Sequence, residues 1–280
     1  MFKQVSIVGL GLIGGSLGMA LRKGHVARRV IGFSRSEATL RRAIARGAID
    51  DGDTELCPEW LGESDLVVIA TPPLTVAPVA RKIAKITTGR LVLTDVASTK
   101  SMIVKEVERS LPARVSFVGA HPMAGSEKSG IAAADPALFR GAVCILTPTQ
   151  STSSAARARV SSLWRGVGAR VVFMPAARHD ALVAQISHLP HLVVAAMTRA
   201  PEQAALALAA GGFADATRIA AGDPALWEQI CRTNVREILK ALDRLQREIT
   251  FLKKLLHGGR SRELRQFLAA AQRRRLQLGR

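Results

Sequence analysis

Val5-Ser-Ile-Val8-Gly9-Leu-Gly11-Leu12-Ile13-Gly14-Gly-Ser16 decides the fold of this 280-residue chain. A short apolar strand runs into a G-x-G-x-x-G turn, and the apolar stretch from Leu17 to Leu21 continues it as a helix. Between a strand and a helix, that spacing indicates a dinucleotide-binding turn. Gly9 allows the sharp turn, Gly11 lets backbone approach a pyrophosphate, and Gly14 lets the helix pack against the strand. The free N–H groups at the helix start, at Leu12 and Ile13, then hold the anion. The next strand, Val30 to Phe33, ends at Ser34-Arg35-Ser36. An acidic residue at that point would hold a ribose hydroxyl. Ser34 and Arg35 instead suit a 2′-phosphate, because a guanidinium pairs with it in bidentate fashion. NADP is therefore favoured over NAD, although an arginine can also stack on adenine.

Working outward, further strands are expected at Leu66–Ala70, Leu91–Thr94, Val115–Val118, Ala142–Leu146 and Arg170–Phe173. Helical stretches such as Ser36–Arg46 and Thr75–Lys85 alternate with them. The pattern calls for an α/β fold, a Rossmann-type doubly wound, mostly parallel sheet. Ligands of such sheets sit outside the carboxyl ends of the strands. Thr71, Asp95, Ser98 and His121 all follow strands at those ends, as the glycine turn does. His121 opens His121-Pro-Met-Ala-Gly125-Ser126-Glu127, a strand end followed by a flexible turn. Imidazole titrates near neutrality and can exchange a proton there.

After Pro175 the strand signals stop. The chain divides into a dinucleotide-binding domain, 1–175, and an all-α domain, 176–280. Ala176–Ala200 is helical in pattern, kinked at Pro190. It places His188 and His191 on one face, with no third ligand for a metal. Gly211-Gly212 marks a loop that approaches something closely. Arg218 lies among apolar neighbours and needs an anion, either Asp215 or a substrate carboxylate. Asp223 and Pro224 start a helix that the pattern carries to His257, about 50 Å long. Its apolar seam, Val235, Ile238, Leu242, Leu245, Ile249, Leu252 and Leu256, points to a homodimer. Packing on the last helix, Ser261–Gln272, is the alternative.

Composition narrows the class. The chain is 48% hydrophobic and 22% charged, with no apolar run near the ~20 residues of a membrane span. The N-terminus enters a strand at once and leaves no room for a signal peptide. Three scattered cysteines fit a reducing cytoplasm. A net charge of +18 and a pI of about 11.3 attract anions. No zinc-finger spacing or aromatic stacking motif points to nucleic acid.

Taken together, these segments resemble the prephenate/arogenate (cyclohexadienyl) dehydrogenase family of tyrosine biosynthesis. The resemblance rests on Gly9–Ser16, Asp95-Val-Ala-Ser-Thr-Lys100, His121–Glu127, Ser187-His-Leu-Pro-His191, Gly211-Gly-Phe213 with Asp215 and Thr217-Arg218, and Gly222-Asp-Pro224 with Trp227. Ala214 departs from it, where the family often has a basic residue. The resemblance implies oxidative decarboxylation of a cyclohexadienyl substrate with NAD(P). His121 would take the C4 hydroxyl proton while hydride leaves C4, and Ser98 would orient that hydroxyl or the imidazole. Arg218 would bind a carboxylate, and His188, Gly125 and Ser126 would contact the substrate. Asp95 and Thr71 join the glycine turn, Ser34 and Arg35 as cofactor residues. A β-hydroxyacid-type reductase, which would need a catalytic lysine facing the cleft from the second domain, and a non-catalytic dinucleotide sensor are the alternatives.

Overall fold

The computed structural model describes residues 1–278. Eight strands form one sheet: β1 (Phe2–Val8), β2 (Ala27–Phe33), β3 (Asp51–Asp53), β4 (Leu66–Ile69), β5 (Leu91–Asp95), β6 (Val115–Pro122), β7 (Val143–Thr147) and β8 (Arg170–Phe173). Their order is β3-β2-β1-β4-β5-β6-β7-β8. All pairs are parallel except β6 with β7. Helices α1 (Leu12–Lys23), α2 (Glu37–Ala45), α3 (Pro58–Gly62), α4 (Pro73–Ile86), α5 (Ser101–Ser110) and α6 (Ser154–Gly166) run between strands, and apart from the edge strands β3 and β8 the strands are largely buried on both faces, which explains their near-continuous apolar runs. Successive side chains alternate between two cores. Ile7 and Val30 join Leu17, Leu21 and Trp164 on one face. Val8 and Ile31 join Ala80, Leu93 and Phe117 on the other.

Strand β3 has no sequence signal. Asp-Gly-Asp has poor strand propensity, and only its pairing with Ile31–Phe33 at the sheet edge makes it one. Strand β6 is longer than its apolar run. Its first half pairs with β5, and its second half, through His121 and Pro122, pairs antiparallel with β7.

Helices follow: α7 (Ala176–Val183), α8 (Leu189–Arg199), α9 (Gln203–Leu206), α10 (Gly211–Thr217), α11 (Pro224–Thr233), α12 (Val235–His257) and α13 (Ser261–Gln277). A π-helical turn, Ala184–His188, joins α7 to α8 and takes up the expected proline kink. Pro190 lacks an N–H and its ring crowds the preceding turn, so the helix widens just before it. Within the 24-residue run Ala176–Arg199 an 18-residue window reaches a mean hydropathy of 1.4, long and apolar enough to cross a membrane by length and composition only. That corrects the expectation that no apolar run approaches a membrane span, although the run carries the buried polar side chains of His179, Asp180 and His188.

Two other expectations change. The long helix breaks at Asn234 (φ −135°, ψ 26°), so α12 spans about 35 Å. Asparagine is a weak helix former, and this one turns its amide inward to the Asp180 carbonyl at 2.9 Å. Gly211 and Gly212 begin a helix, and nothing lies within 4 Å of the Cβ position of either. The expected close approach is therefore not made within this chain. The chain forms two compact units, Met1–Val235 and Arg236–Arg280. Within the second, Phe251 of α12 meets Phe267 of α13, ring centroids 6.1 Å apart.

Helix α1 packs through Gly18 against the turn between α2 and β3, where a Cβ would lie 2.1 Å from the Ala48 carbonyl oxygen. Alanine has the better helix propensity, so any loss isolates the clash. Gly18→Ala should lower unfolding free energy by about 1–3 kcal/mol, measured by urea denaturation.

Candidate active site

The glycine turn is closed on one side and open on the other. Gly9 has φ +100°, and a Cβ there would lie 2.6 Å from the Ala70 carbonyl oxygen. A Cβ on Gly14 would lie 1.9 Å from the Gly9 oxygen. Gly11, the N-cap of α1, has nothing within 4 Å of its Cβ position. Backbone there is free to meet a ligand, with the N–H groups of Leu12 and Ile13 at the helix start beside it. This arrangement fits a dinucleotide pyrophosphate. Ser34 lies half-buried at the end of β2, Arg35 is exposed, and Thr71 is half-buried after β4.

Register brings the strand ends into a row. Val8 pairs with Phe33 and Ile69, Ile69 with Asp95, and Thr94 with Val118. The chain beyond His121 returns to α1. The Asp135 N–H donates to Ser16 Oγ at 2.9 Å, and Ile131 fills the space a Cβ on Gly15 would need. The histidine loop is thus pinned to the helix that the glycine turn starts.

His121 is 7% exposed. Its Nδ1 lies 2.8 Å from Nε2 of His179 on α7, and His179 Nδ1 lies 2.8 Å from Asp180 Oδ1. Asp180 also accepts the N–H groups of Lys100 and Ser101, each at 2.8 Å, and so caps α5 from a distant helix. Burial pushes the His121 pKa well below 6.5, and positive charge on His179 when protonated, on Lys100 and on His188 when protonated pushes it further. The imidazole is therefore neutral at neutral pH, lower in pKa than the unperturbed ring assumed from sequence. Burial also lowers His179 against the pull of Asp180. Burial works to raise Asp180, but hydrogen bonds from His179 and the α5 terminus outweigh it, and the carboxyl falls below 3.8.

Asp95 is a correction. Expected to touch cofactor, it is wholly buried, ion-paired with the equally buried Lys100 and accepting N–H groups from Ala120 (3.0 Å) and Ala97 (3.1 Å). A carboxylate so enclosed must spend its acceptors on protein. Ser98 is half-buried in the loop after it, and its backbone reaches His188. No hydrogen bond joins its hydroxyl to His121 among the described residues.

His188 is also corrected. It is fully enclosed, so it cannot contact a substrate directly in this arrangement. Its Nδ1 lies 3.2 Å from Asn234 Nδ2, and its Nε2 makes no full hydrogen bond among the described residues. Burial lowers its pKa to about 4. His191 stacks on Trp227 at 3.4 Å between centroids, the two planes 8° apart. Arg218 is 59% exposed and ion-pairs with Glu127 of the histidine loop. It is neither sequestered nor joined to Asp215, as the sequence suggested it could be. Gly125 and Ser126 are exposed beside it. Sequence reading missed His179, Asp180 and Asn234. Their signals were a His-Asp pair in an apolar helix and an asparagine within a helical pattern.

Comparison with known proteins gives the family and the fold. The family model for the prephenate dehydrogenase nucleotide-binding domain matches residues 17–173, and that for its dimerization domain matches 175–270. A prephenate dehydrogenase of Bacillus subtilis is 39% identical over 254 residues, 88% of this chain and 68% of that protein. The structure of Aquifex aeolicus prephenate dehydrogenase with hydroxyphenyl propionate and NAD+ superposes with a TM-score of 0.92 at 31% identity, covering 99% of both chains. Synechocystis arogenate dehydrogenase superposes with a TM-score of 0.82 at 31% identity, covering 98% of this chain and 99% of that one.

The depressed histidines set an acid sensitivity. Each resists protonation when folded but titrates near 6.5 when unfolded, so the unfolded state binds more protons below that pH. Stability is therefore full above pH 6.5 and falls as pH drops toward about 4 for His188. Each such histidine contributes about 1.4 kcal/mol per pH unit within its window. His188→Asn should reduce the slope of unfolding free energy between pH 6 and 4.5 by about that amount. Denaturant titrations at stepped pH measure it, and an unchanged slope would contradict the assignment.

Proposed function

Since this chain belongs to the prephenate dehydrogenase family, we propose that it catalyses NAD(P)-dependent oxidative decarboxylation of prephenate, arogenate or both. The products are 4-hydroxyphenylpyruvate or tyrosine, in tyrosine biosynthesis. The observation that carries the reading is the neutral imidazole of His121, at the carboxyl edge of the sheet on a loop pinned to the glycine-turn helix. A neutral ring there can accept the C4 hydroxyl proton as the carbonyl develops. When bound, the nicotinamide supplies the hydride acceptor for the C4–H. Loss of the ring carboxylate as CO2 then makes the ring aromatic.

The glycine turn holds the pyrophosphate, and Ser34 and Arg35 favour NADP by pairing with a 2′-phosphate. Arg218 exchanges Glu127 for a substrate carboxylate, which its exposure permits. Ser98 orients the reacting hydroxyl, and Gly125 and Ser126 line the approach. Residues 1–175 serve the nucleotide, and 176–280 serve substrate and dimerisation. Val235, Leu239, Ile249 and Leu256 of α12 are about half exposed, apolar surface suited to a second copy in a homodimer. The three cysteines are free, in keeping with the cytoplasm. A β-hydroxyacid-type reductase fits less well. That chemistry needs a lysine facing the cleft from the second domain, and the lysines there, Lys240, Lys253 and Lys254, are exposed on α12 in no recognisable catalytic motif.

The test is an assay of prephenate and arogenate, each with NAD and NADP, followed as reduced cofactor. Turnover is expected with at least one pair, faster with NADP; activity in none would contradict the reading. His121→Asn should lower kcat about 10²–10⁴-fold with little change in cofactor affinity. Arg218→Ala should chiefly raise the substrate KM.

A further inference from the structure

We infer that His179 and Asp180 are positioning residues that fix the tautomer of His121, leaving its Nε2 as the proton acceptor. The inference rests on the dehydrogenase reading and deepens it.

The assignment follows from donor and acceptor counting. Both Asp180 oxygens already receive backbone N–H groups from the start of α5, and an ionised carboxylate can only accept. The ring nitrogen 2.8 Å from Oδ1 must therefore carry the hydrogen: His179 is protonated at Nδ1. A neutral His179 then has a bare Nε2, which accepts. The His121 nitrogen 2.8 Å away must donate, so His121 is protonated at Nδ1 and bare at Nε2. No protein group bonds that Nε2 among the described residues. The opposite tautomer would set two bare nitrogens, or two N–H groups, against each other in a sealed site.

The relay also prepares the ring for charge. When His121 gains the hydroxyl proton at Nε2, its Nδ1–H still donates to His179, whose own N–H points at the Asp180 carboxylate. The developing imidazolium is thus backed by a negative charge that α5 and the hydrogen bonds keep ionised. The other charged or titratable groups around the ring are His188, Lys100 with Asp95, and Cys144 on β7. Lys100 is offset by Asp95, His188 is neutral above about pH 4, and burial holds Cys144 as the thiol. Asp180 therefore supplies the unbalanced negative charge along the line of the proton.

The experiment uses the full-length enzyme saturated with NADP or NAD and compares His179→Phe, His179→Gln and Asp180→Asn, with His121→Asn alongside. His179→Phe removes the acceptor and should lower kcat about 10–100-fold, with substrate KM and cofactor Kd within about threefold of wild type. His179→Gln sets an amide oxygen near the lost Nε2 and should recover part of that kcat. Asp180→Asn retains a capping oxygen for α5 but loses the charge. It should lower kcat and move the acid limb of the kcat–pH profile to lower pH, because a ring without that anion binds its proton less tightly. Wild-type kcat in His179→Phe, a Gln variant no better than Phe, or an unmoved acid limb in Asp180→Asn would overturn the relay. If His121→Asn itself turns over normally, the dehydrogenase assignment fails and the relay falls with it. A dead His121→Asn beside unaffected His179 and Asp180 variants rejects the relay alone.

Discussion

A carboxylate sealed from water keeps its charge only where donors surround it, and Asp180 meets that condition in a way that organises the site. Two of its donors are the backbone N–H groups that open α5, at the carboxyl end of the sheet. A third is the ring of His179, and the Asp180 carbonyl receives the Asn234 amide where α11 gives way to α12. One residue of α7 therefore ties that helix to the loop after β5 and to the break before α12. His121, His179 and His188 sit where those attachments leave them.

The interior charges are balanced locally. Asp95 is met by Lys100 and two backbone N–H groups, and Asp180 by a helix terminus and an imidazole. What remains uncharged is the histidine cluster, and burial keeps it so. A neutral ring beside paired ions is suited to receiving a proton. The exposed partner, Arg218 with Glu127, differs in kind. An ion pair in water is held weakly, so either member can change partner at little cost.

The sheet was largely legible because its signals are local. Apolar runs, a glycine turn between strand and helix, and the residues just past each strand end all declare themselves within a few positions. His121 and Ser98 were singled out in that way. What stayed hidden depends on contacts across long separations. Asp-Gly-Asp at β3 becomes a strand only beside β2. Asp95 looks like a ligand residue until Lys100 is seen to fold back onto it. Asn234 sits in a helical pattern, and the acceptor that draws it inward lies 54 residues away. His188 carries the same motif as His191, but only the three-dimensional packing shows that it is enclosed.

The central claim is a protonation state: His121 is neutral, with its hydrogen on Nδ1 and Nε2 bare. The most direct measurement is the pair of ¹⁵N ring shifts of His121 in labelled protein, assigned by their loss in a variant lacking that ring. The account predicts one pyrrole-like and one pyridine-like nitrogen, the proton on Nδ1, unchanged across the neutral pH range. An imidazolium at neutral pH, or a proton on Nε2, would contradict it.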